Sequence, residues 1–445
     1  MWRVAVVGAG YVGLVSAVCL ADRGVGVMLV EKDKSKLELL REGRSLFYEP
    51  GLDDLLKRTT ALRRLRSSLD VKDAVDGSEI VFVNVGTPTK SNGSIDLTQV
   101  EAASVDIGRA LKRIKHYIVV VVRSTVLPGT TRDFVGPILD TYSGRKFGKD
   151  YGLAMQPEFM SEGSAVRDML SPDRVVIGEH DKRSGDFLES FWREFYGDAA
   201  PPILRMNVAS AEMVKYASNA FLAAKISYIN EIANICETIE GVDVAGVAEA
   251  MGLDDRIGKK FLRAGAGFGG SCFPKDLKAL IAFSRQLGYK PSILESVLGV
   301  NERQALHLVD LAKRKLGSLK RKSIAILGLA FKPETNDMRE APSIQIINKL
   351  LEEGASVVAY DPAAVENAKT IFGDKLEYAE TIFECIENAD CVIVVTEWDK
   401  FKRLKPDDFK RNMRNPLLID GRKIYNPAIF GKALKYVGVG LGPSV

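Results

Sequence analysis

One cysteine, Cys272, stands in the stretch GFGGSCFPKD (residues 267–276), between a glycine-rich run and a Pro-Lys-Asp. Pro274 suits the first turn of a helix, so we expect Cys272 at a helix N-terminus beside Lys275, where the thiolate is favoured. The preceding run, GAGFGG, has few side chains and is expected to be too flexible for the core. The pattern predicts a nucleophilic Cys272, with an ordinary loop cysteine as the alternative. Asp276 either joins this site or only complements the helix dipole.

The other four cysteines lie in apolar helix-like or strand-like segments and are expected to be small core residues: Cys19, Cys236, Cys385 and Cys391. The five cysteines are odd in number and scattered, and they form no CxxC pair. This pattern predicts reduced thiols, no disulfide framework and no metal site.

Two further pairs of polar residues have spacings that could place them together. Lys215 and Asn219 are four residues apart in a long proline-free segment, so they share one face of a helix whose continuation is apolar. This predicts a lysine at the edge of a cleft, where a buried ammonium needs a partner, and the alternative is an exposed lysine at the end of an apolar stripe. Glu158 and Glu162, in QPEFMSEG, form the second pair just after a predicted strand.

The elements that position these residues begin with a glycine-rich turn. Gly8, Gly10 and Gly13 form GAGYVG between a strand-like RVAVVG and a helix-like segment, and Glu31 ends the second predicted strand. In this context the glycines allow a pyrophosphate to approach the backbone, and the acid can accept ribose hydroxyls. Because an acid there repels a 2′-phosphate, the pattern predicts NAD rather than NADP. The alternative is a glycine-rich turn with a chance surface acid.

Two more loops follow predicted strands at the edge where a doubly wound sheet binds its ligand. Thr87 lies in VGTP, and Ser124 and Thr125 lie in RSTVLPG. Each is a candidate for the ligand site, with a turn or capping role as the alternative.

The chain as a whole predicts an α/β fold with two Rossmann-like doubly wound domains joined by a long central helix and a helical connector. Residues 1–200 are expected to form the dinucleotide domain, 201–315 the connector and dimerisation domain, and 316–445 the second Rossmann-like domain. The last has Gly328 after its first strand but no full glycine fingerprint. The proline-free segment 207–241 predicts a helix of about 50 Å.

Composition narrows the choice of partners. The net charge of +4 is the small difference between 62 basic and 58 acidic residues, which does not indicate nucleic acid. The apolar run YIVVVV is too short for a membrane helix, and the first strand leaves no room for a secretion signal. We therefore expect a cytoplasmic protein that binds neither membrane nor nucleic acid.

A thiol is useful to a dehydrogenase once the first product is an aldehyde. The thiol can add to the aldehyde to form a thiohemiacetal, which gives up a second hydride and becomes a thioester that water hydrolyses. Lys215 and Asn219 could stabilise the oxyanions, and Asp276 or a glutamate could orient the water. This chemistry predicts that two NAD are used in each turnover.

Four stretches together resemble the UDP-glucose/GDP-mannose dehydrogenase family: GFGGSCFPKD, AEMVKYASNAFLAAKISYINEI, QPEFMSEG and GLAFKPETNDMRE. The resemblance runs from GAGYVG to LLIDGR, nearly the whole chain. It implies NAD-dependent four-electron oxidation of UDP-glucose to UDP-glucuronate, with GDP-mannose or another nucleotide sugar as the alternative substrate. Ser271 stands where members that act on N-acetylmannosamine typically have a histidine, which favours UDP-glucose.

The resemblance implies a role for each matching residue. The catalytic group is Cys272 as nucleophile, Lys215 and Asn219 as oxyanion stabilisers, Asp276 as partner to the water or the lysine, Glu158 as acid/base assistant, and Thr125 near the water. The cofactor-binding residues are Gly8, Gly10, Tyr11, Val12, Gly13, Glu31, Lys36, Gly86, Thr87, Ser124, Thr125, Glu162, Cys272 and Arg339. The residues that hold the nucleotide sugar, chiefly in the second Rossmann-like domain and the loops before it, are Glu158, Phe159, Met160, Ser161, Glu162, Lys215, Asn219, Phe261, Leu262, Arg263, Gly267, Phe268, Gly269, Gly270, Phe331, Lys332 and Arg422.

Two residues add to this comparison with the family. Glu31 stands where the family usually carries an aspartate, so the ribose contact is the same in kind but comes from a longer side chain. Arg263 resembles an arginine that reaches into a neighbouring subunit's site, which implies a homodimer or a higher homo-oligomer.

Two rival functions leave residues unexplained. A two-electron dehydrogenase of a hydroxy acid or sugar phosphate has no use for Cys272 or for the second Rossmann-like domain. A non-catalytic NAD-binding redox sensor could use Cys272 as a switch. However, no resolving cysteine stands near it in sequence, and Lys215, Asn219 and Asp276 would have no purpose.

Overall fold

The computed structural model describes residues 2–443, which form two compact units. The first unit contains the residues up to Ser218 together with Lys278–Leu287, and the second contains Asn219–Leu277 and the residues from Gly288 onward. The chain passes from the first unit to the second within one long helix.

The first unit is built on an eight-stranded sheet. Its strands are β1 (Arg3–Val7), β2 (Gly26–Val30), β3 (Leu65–Ser68), β4 (Ile80–Val83), β5 (Val119–Val122), β6 (Gly152–Met155), β7 (Val175–Glu179) and β8 (Ile203–Asn207). Their order is β3-β2-β1-β4-β5-β6-β7-β8, and all neighbours are parallel except β6 and β7. The direction of winding therefore reverses between β1 and β4, where a doubly wound sheet binds its ligand.

Helices cover both faces of this sheet. They are α1 (Tyr11–Asp22), α2 (Lys34–Arg41), α3 (Leu52–Ala61), α4 (Val71–Val75), α5 (Thr98–Leu111), α6 (Gly136–Ser143), α7 (Ala165–Leu170) and α8 (Lys182–Tyr196), with a π-helical turn at Thr130–Val135 and a 3₁₀ turn at Gly197–Ala199. In β1, Val4 and Val6 pack into one hydrophobic cluster while Ala5 and Val7 pack into another. Strands buried on both faces must be apolar throughout, which explains sequences such as VVVV in β5.

The long helix, α9 (Val208–Cys236), begins directly after β8 and has 29 residues, or about 44 Å at 1.5 Å per residue. The prediction that it reaches Gly241 is wrong. After Cys236 the backbone closes tighter turns, because the amides of Thr238 and Ile239 donate to the carbonyls three residues earlier. The Thr238 hydroxyl also donates to the Ile235 carbonyl, so the last turn does not continue as α-helix.

The second unit is built on a six-stranded parallel sheet. Its strands are β9 (Ser323–Leu327), β10 (Ser356–Tyr360), β11 (Glu377–Tyr378), β12 (Cys391–Val394), β13 (Leu417–Asp420) and β14 (Lys435–Gly438). Their order, β11-β10-β9-β12-β13-β14, repeats the order of the first six strands of the other sheet.

The remaining helices are α10 (Val244–Gly252), α11 (Phe273–Gln286), α12 (Ser292–Leu316), α13 (Pro342–Glu352), α14 (Val365–Phe372), α15 (Ile382–Ile386), α16 (Asp399–Lys402), α17 (Pro406–Asn412) and α18 (Pro427–Ala433), with a 3₁₀ turn at Gly373–Lys375. The predicted fold class, two Rossmann-like domains joined by a long helix, is confirmed. The boundaries at residues 200 and 315 stay a prediction. Among residues 2–443, no helix combines the length and the apolar character that crossing a membrane requires.

Candidate active site

Cys272 lies at the start of α11, as predicted. The helix begins at Phe273 with Pro274 in its first turn, and the amide of Asp276 donates to the Cys272 carbonyl at 2.8 Å. Cys272 is exposed, whereas the other four cysteines are buried, so the expected contrast between one accessible thiol and four core thiols is confirmed. The Ser271 hydroxyl oxygen is 3.5 Å from its sulfur. The nucleophilic role stays a prediction.

The glycine-rich run before Cys272 is buried, so the prediction that it is too flexible for the core is wrong. Ala264 and Ala266 belong to the main hydrophobic cluster of the second unit. A Cβ on Gly269 would lie 2.4 Å from the Glu340 carbonyl oxygen, and one on Gly270 would lie 2.8 Å from the Phe331 ring. The run is bare of side chains because neighbouring segments already fill the space around it.

Asp276 is a buried carboxylate with two side-chain partners. It accepts hydrogen bonds from the Asn219 amide nitrogen and from the Lys275 ammonium, each at 2.6 Å. A helix-dipole role alone would leave the carboxylate facing solvent. The structure instead makes Asp276 the acceptor that orients the Asn219 amide.

Lys215 is also buried, so the alternative of an exposed lysine at the end of a stripe is wrong. Its ammonium donates to the Glu158 carboxylate at 2.8 Å and to the Glu158 carbonyl at 2.7 Å. Glu158 also accepts from the Met160 amide at 2.7 Å. Burial alone would raise the pKa of the Glu158 carboxyl, but Lys215, the Met160 N–H and the charge of Arg123 together hold that pKa below its usual value. The Glu158 carboxylate is therefore held in its ionised form beside the Lys215 ammonium.

The glycine turn after β1 fits a dinucleotide. Gly8 has φ +102°, and a Cβ there would lie 2.8 Å from the Asn84 carbonyl oxygen. A Cβ on Gly13 would lie only 1.9 Å from the Gly8 carbonyl oxygen, whereas nothing lies within 4 Å of a Cβ built on Gly10. The first and third glycines are thus required by the fold, and the second leaves open space at the N-terminus of α1, where a pyrophosphate would lie.

Four further residues predicted to bind the cofactor lie in α1, after β2 and in α2 of the first unit. Tyr11 and Val12 are the first residues of α1, and Glu31 follows β2 directly. Glu31 is half-buried and accepts a hydrogen bond from the Asp33 amide at 3.0 Å. Lys36 is exposed on α2.

The loops after β4 and β5 are braced against each other. The Thr87 hydroxyl donates to the Thr125 carbonyl at 2.9 Å, and the Ser124 hydroxyl donates to the Val85 carbonyl at 2.7 Å. The Gly86 amide donates to the Gln99 side chain at 3.2 Å. The structure thus brings these predicted residues together, and the hydroxyls of Thr87 and Ser124 have the turn-bracing role that was the alternative for them.

In the second unit the residues predicted to hold the nucleotide sugar gather around the glycine-rich run. Arg422 donates to the Gly267 carbonyl at 3.3 Å and lies 3.3 Å from Glu397. Arg339, which was predicted to bind the cofactor, also lies here: the Gly270 amide donates to its carbonyl, and its guanidinium pairs with Asp337 at 2.6 Å. The ammonium of Lys332 lies 5.5 Å from the centre of the neighbouring Phe331 ring.

Three predicted sugar-nucleotide residues that precede this run differ in exposure. Phe261 and Arg263 are exposed, whereas the Leu262 side chain is packed in the hydrophobic cluster. Phe268 is buried as well, and its backbone is held by the side chain of Asn301 through both the amide and the carbonyl. The side chains of Leu262 and Phe268 are thus part of the core, and their contact with a ligand stays a prediction.

Two buried carboxylates that the sequence analysis missed make several hydrogen bonds. Glu49, before α3, binds the loop after β6, and Asp361, after β10, binds the loop after β9. Asp361 had a usable signal, because it ends the second strand of its sheet as Glu31 ends the second strand of the other. Glu49 had none beyond its place before Pro-Gly in a turn. Within the described part of the chain, no group of three or more His, Cys, Asp or Glu residues could hold a metal ion.

Models of the UDP-glucose/GDP-mannose dehydrogenase family match three consecutive parts of the chain. The NAD binding domain matches residues 2–196, the central domain residues 209–303 and the UDP binding domain residues 325–427.

Similar proteins are found along nearly the full length. The chain is 42% identical to UDP-glucose 6-dehydrogenase TuaD of Bacillus subtilis, across 96% of this chain and 90% of that protein. It is 42% identical to UDP-glucose 6-dehydrogenase AglM of Haloferax volcanii, across 95% and 97%. Among solved structures, a UDP-glucose dehydrogenase from the archaeon Pyrobaculum islandicum superposes with a TM-score of 0.91 at 40% identity, covering 99% of this chain and 98% of that one. A GDP-mannose dehydrogenase from Pseudomonas aeruginosa gives a TM-score of 0.56 at 33% identity, covering 98% and 99%.

Proposed function

The chain belongs to the UDP-glucose/GDP-mannose dehydrogenase family, whose members are NAD-dependent oxidoreductases, and we propose that it oxidises UDP-glucose to UDP-glucuronate through a thioester on Cys272. The observation that carries this proposal is the one exposed cysteine of the chain, set at the N-terminus of a helix. A helix N-terminus stabilises negative charge, so the sulfur there is suited to act as a thiolate.

The chemistry balances with one water and two NAD⁺ as the co-reactants. The substrate CH₂OH group loses a hydride and a proton to become an aldehyde, and the Cys272 sulfur then forms a bond to the aldehyde carbon. The resulting thiohemiacetal loses a second hydride and a proton to become a thioester. Water then attacks the thioester carbon, the carbon–sulfur bond breaks, and the carboxylate leaves with the thiol restored. Bound NAD⁺ supplies the hydride acceptor for each of the two oxidations.

The buried charged pair of the first unit supports the oxyanion role given to Lys215. Its ammonium is fixed by two hydrogen bonds to Glu158, and the lowered pKa of Glu158 keeps the partner carboxylate ionised. An ammonium held in place in a buried setting stabilises a developing alkoxide without reorganisation. We propose that Glu158 also relays a proton to or from Lys215, and that Thr125 helps to position the water.

The polar pair of the second unit supports the roles of Asn219 and Asp276. Since Asp276 accepts from the Asn219 amide, it fixes which way the amide group points, and that amide can then donate to an oxyanion. We propose that Asp276 holds this geometry and that the Lys275 ammonium, bonded to the same carboxylate, adds positive charge near Cys272.

Positive charge around the glycine-rich run supports a nucleotide diphosphate as the substrate. Lys332, Arg422 and Arg263 supply cations suited to phosphate oxygens. UDP-glucose is preferred to GDP-mannose because the chain is 42% identical to two UDP-glucose 6-dehydrogenases but 33% identical to the GDP-mannose dehydrogenase.

We further propose that the protein is at least a homodimer. Phe221, Tyr228 and Ile235 are spaced seven residues apart along α9 and are 67%, 55% and 50% exposed. Apolar residues at this spacing form one stripe on a helix, and such a stripe indicates a protein partner. Arg263 is exposed in the same unit, as a residue that reaches into a second subunit must be. Light scattering during gel filtration tests this, and a monomeric mass would contradict it.

The experiment that tests the function measures NADH formed for each UDP-glucose consumed, in the native chain and in Cys272→Ser. We expect a ratio near two with UDP-glucuronate as product, and loss of acid formation in the variant. Cys236→Ala, at a buried cysteine, is the matched control and should keep the ratio. A ratio of one would remove Cys272 from the chemistry, and turnover of GDP-mannose but not UDP-glucose would favour the alternative substrate.

A further inference from the structure

Glu49 is a buried carboxylate in the loop between α2 and α3. One of its oxygens accepts hydrogen bonds from the Tyr11 hydroxyl and, at 2.7 Å, from the Gly163 amide. The other accepts from the Ala165 amide at 2.8 Å. This single side chain therefore joins three segments of the first unit that are far apart in sequence.

The Tyr11 end of this connection belongs to the glycine turn. Tyr11 is the first residue of α1, immediately after Gly10, and its ring packs against Phe47 at 4.6 Å between centroids. Burial, together with the neighbouring Glu49 carboxylate, raises the pKa of the Tyr11 hydroxyl far above its ordinary value. Tyr11 thus stays protonated and remains a donor to Glu49.

The other end belongs to the segment that carries Glu158. This segment, residues 156–165, runs from the end of β6 to the first residue of α7. Its N-terminal part is fixed by the hydrogen bond between Glu158 and Lys215. Its C-terminal part is fixed by the hydrogen bonds of the Gly163 and Ala165 amides to Glu49. Gly163 has φ +79°, so the backbone at this C-terminal anchor takes a conformation that few other residues allow.

We infer that Glu49 is a positioning residue that links the cofactor-binding turn to the Glu158 segment. Binding of the cofactor at the turn then also stabilises the conformation of residues 158–165. The Glu49 carboxylate binds the Tyr11 hydroxyl on one side and the Gly163 and Ala165 amides on the other, and it acts through these groups. Only the kinetic consequence of this link rests on the proposed function, because NAD binding is a property of the family to which the chain belongs.

The first test follows hydrogen exchange of residues 156–168 with and without NADH. In the native chain we expect NADH to slow exchange of the Gly163 and Ala165 amides by about tenfold or more, since a ligand protects what its binding stabilises. In Glu49→Gln, NADH should still protect the glycine turn but should no longer protect these amides. Equal protection of the segment in native chain and variant would overturn the inference, as would an absence of protection in the native chain.

A matched control separates positioning from general stability. Asp140 is a half-buried carboxylate of the same unit that likewise accepts from a tyrosine hydroxyl, that of Tyr151 at 2.8 Å, and from a backbone amide, that of Phe147 at 3.0 Å. Asp140→Asn should leave the NADH-dependent protection of residues 156–168 intact. If it removes that protection as Glu49→Gln does, the link is not specific to Glu49.

A second variant keeps the test decisive if Glu49→Gln does not fold. Tyr11→Phe removes the hydroxyl that donates to Glu49 and that also accepts from the Gly163 amide at 3.2 Å, and it leaves the bonds of Glu49 to Gly163 and Ala165 in place. We expect it to fold and to weaken the NADH-dependent protection of the segment. Unchanged protection in Tyr11→Phe would show that the signal does not pass through the Tyr11 hydroxyl.

The kinetic arm uses UDP-glucose. Because a small misplacement of a positioned group can cost about 100-fold in rate, we expect Glu49→Gln to lower kcat by about 10- to 100-fold. Its NADH dissociation constant should stay within a few-fold of the native value. A fall in kcat matched by an equal fall in NADH affinity would contradict the positioning role. If the native chain does not turn over UDP-glucose, the proposed function fails while the exchange experiment still decides the inference.

Discussion

The two Rossmann-like sheets make the same turn at the same place. Gly8 follows β1 with φ +102° and donates to the Val30 carbonyl at 3.0 Å, and Gly328 follows β9 with φ +100° and donates to the Tyr360 carbonyl at 2.9 Å. In each case a Cβ would collide with a residue that closely follows the fourth strand of the order: Asn84, the first residue after β4, or Thr396, the second residue after β12. Strand order and this crowding alone therefore do not explain why only one turn fits a dinucleotide.

The difference lies in the segment after the turn. In the first sheet α1 begins at Tyr11, three residues after Gly8, so its N-terminal amides face the space left open at Gly10. In the second sheet α13 begins only at Pro342, and a loop occupies the intervening residues. A pyrophosphate needs the amides of a helix N-terminus close to the glycine turn, and the second sheet does not provide them there.

The acidic residues that follow the second strand of each sheet also differ, in burial and in the number of hydrogen bonds that they accept. Glu31 is half-buried and accepts one backbone amide, that of Asp33. Asp361 is 3% exposed, and its carboxylate accepts a hydrogen bond from the Trp398 side chain. It also accepts from backbone amides in the loops after β9 and after β10: Leu329, Ala330, Ala363 and Ala364. The position thus holds the fold in the second sheet, whereas in the first it makes only one such bond and is proposed to bind the cofactor. The fixed loop that Asp361 holds carries Phe331 and Lys332.

The largest expected effect is on stability. Asp361→Ala removes the acceptor of several buried N–H groups, so we expect the free energy of unfolding to fall by about 3–5 kcal/mol. Glu31→Ala, at the equivalent position, should change it by about 0.5 kcal/mol or less. Urea titration followed by tryptophan fluorescence measures both, and Trp398 reports directly because it donates to Asp361. Equal losses in the two variants would show that Glu31 and Asp361 contribute alike to the stability of their sheets.

The next largest effect is on NADH binding, which should distinguish Gly8 from Gly328. Gly8→Ala forces a side chain into a positive φ beside Asn84. Strain of about 1–3 kcal/mol at such a site corresponds to NADH binding weakened by about 5- to 150-fold. Gly328→Ala meets tighter crowding, with Thr396 2.4 Å from the Cβ against 2.8 Å at Gly8, but should leave the NADH dissociation constant unchanged. Titration of NADH fluorescence checks both variants. Weaker NADH binding in Gly328→Ala would mean that the second turn takes part in cofactor binding.

A smaller effect concerns the choice of cofactor. Glu31→Gln removes the negative charge that repels a 2′-phosphate, so we expect the preference for NADH over NADPH to fall by roughly tenfold, the size of one charge-assisted interaction. Asp361→Asn should leave this preference unchanged. The ratio of dissociation constants for NADH and NADPH measures it, and an unaltered ratio in Glu31→Gln would show that the discrimination comes from elsewhere.

The parts of the site that the sequence predicted are those set by local spacing. The glycine turn, Glu31 after β2 and Cys272 before α11 all follow from residue types within a few positions of each other, because helix starts and strand ends have local signals. The sequence also predicted that Lys215 has a partner, because a buried ammonium needs one. The structure identifies that partner as Glu158.

The parts that were missed depend on contacts between distant segments. The burial of Gly265–Gly270 is due to Phe331, Glu340 and Asn301, which the local sequence does not reveal. Asp361 was open to prediction by analogy with Glu31, but whether such an acid faces a ligand or the fold depends on where the next helix begins. Tertiary packing decides these cases, and composition alone misled us about the glycine-rich run.

The smallest expected effect is a pH dependence of opposite sign in the two units. In the first, Lys215 and the Met160 amide lower the pKa of Glu158 from its ordinary 4.5 despite burial. In the second, burial raises the pKa of Asp420, at the end of β13, above its ordinary 3.8 despite hydrogen bonds from Tyr425 and Tyr436. The contribution of Glu158 to stability is therefore complete above its unfolded pKa and is lost as the pH falls through its folded pKa. That of Asp420 declines as the pH rises from its unfolded pKa through its folded pKa.

Unfolding free energies of Glu158→Gln and Asp420→Asn, each subtracted from the native value across about pH 3–7, measure these two contributions separately. The difference for Glu158→Gln should shrink toward acid pH, because protonated Glu158 no longer pairs with Lys215. For Asp420→Asn, the stability of the native chain relative to the variant should fall as the pH rises and then level off. The reason is that Asp420 ionises in this range, whereas the amide in the variant does not. Two curves of the same slope would show that the buried acids of the two units are stabilised alike, which would reverse the distinction drawn from their hydrogen-bond partners.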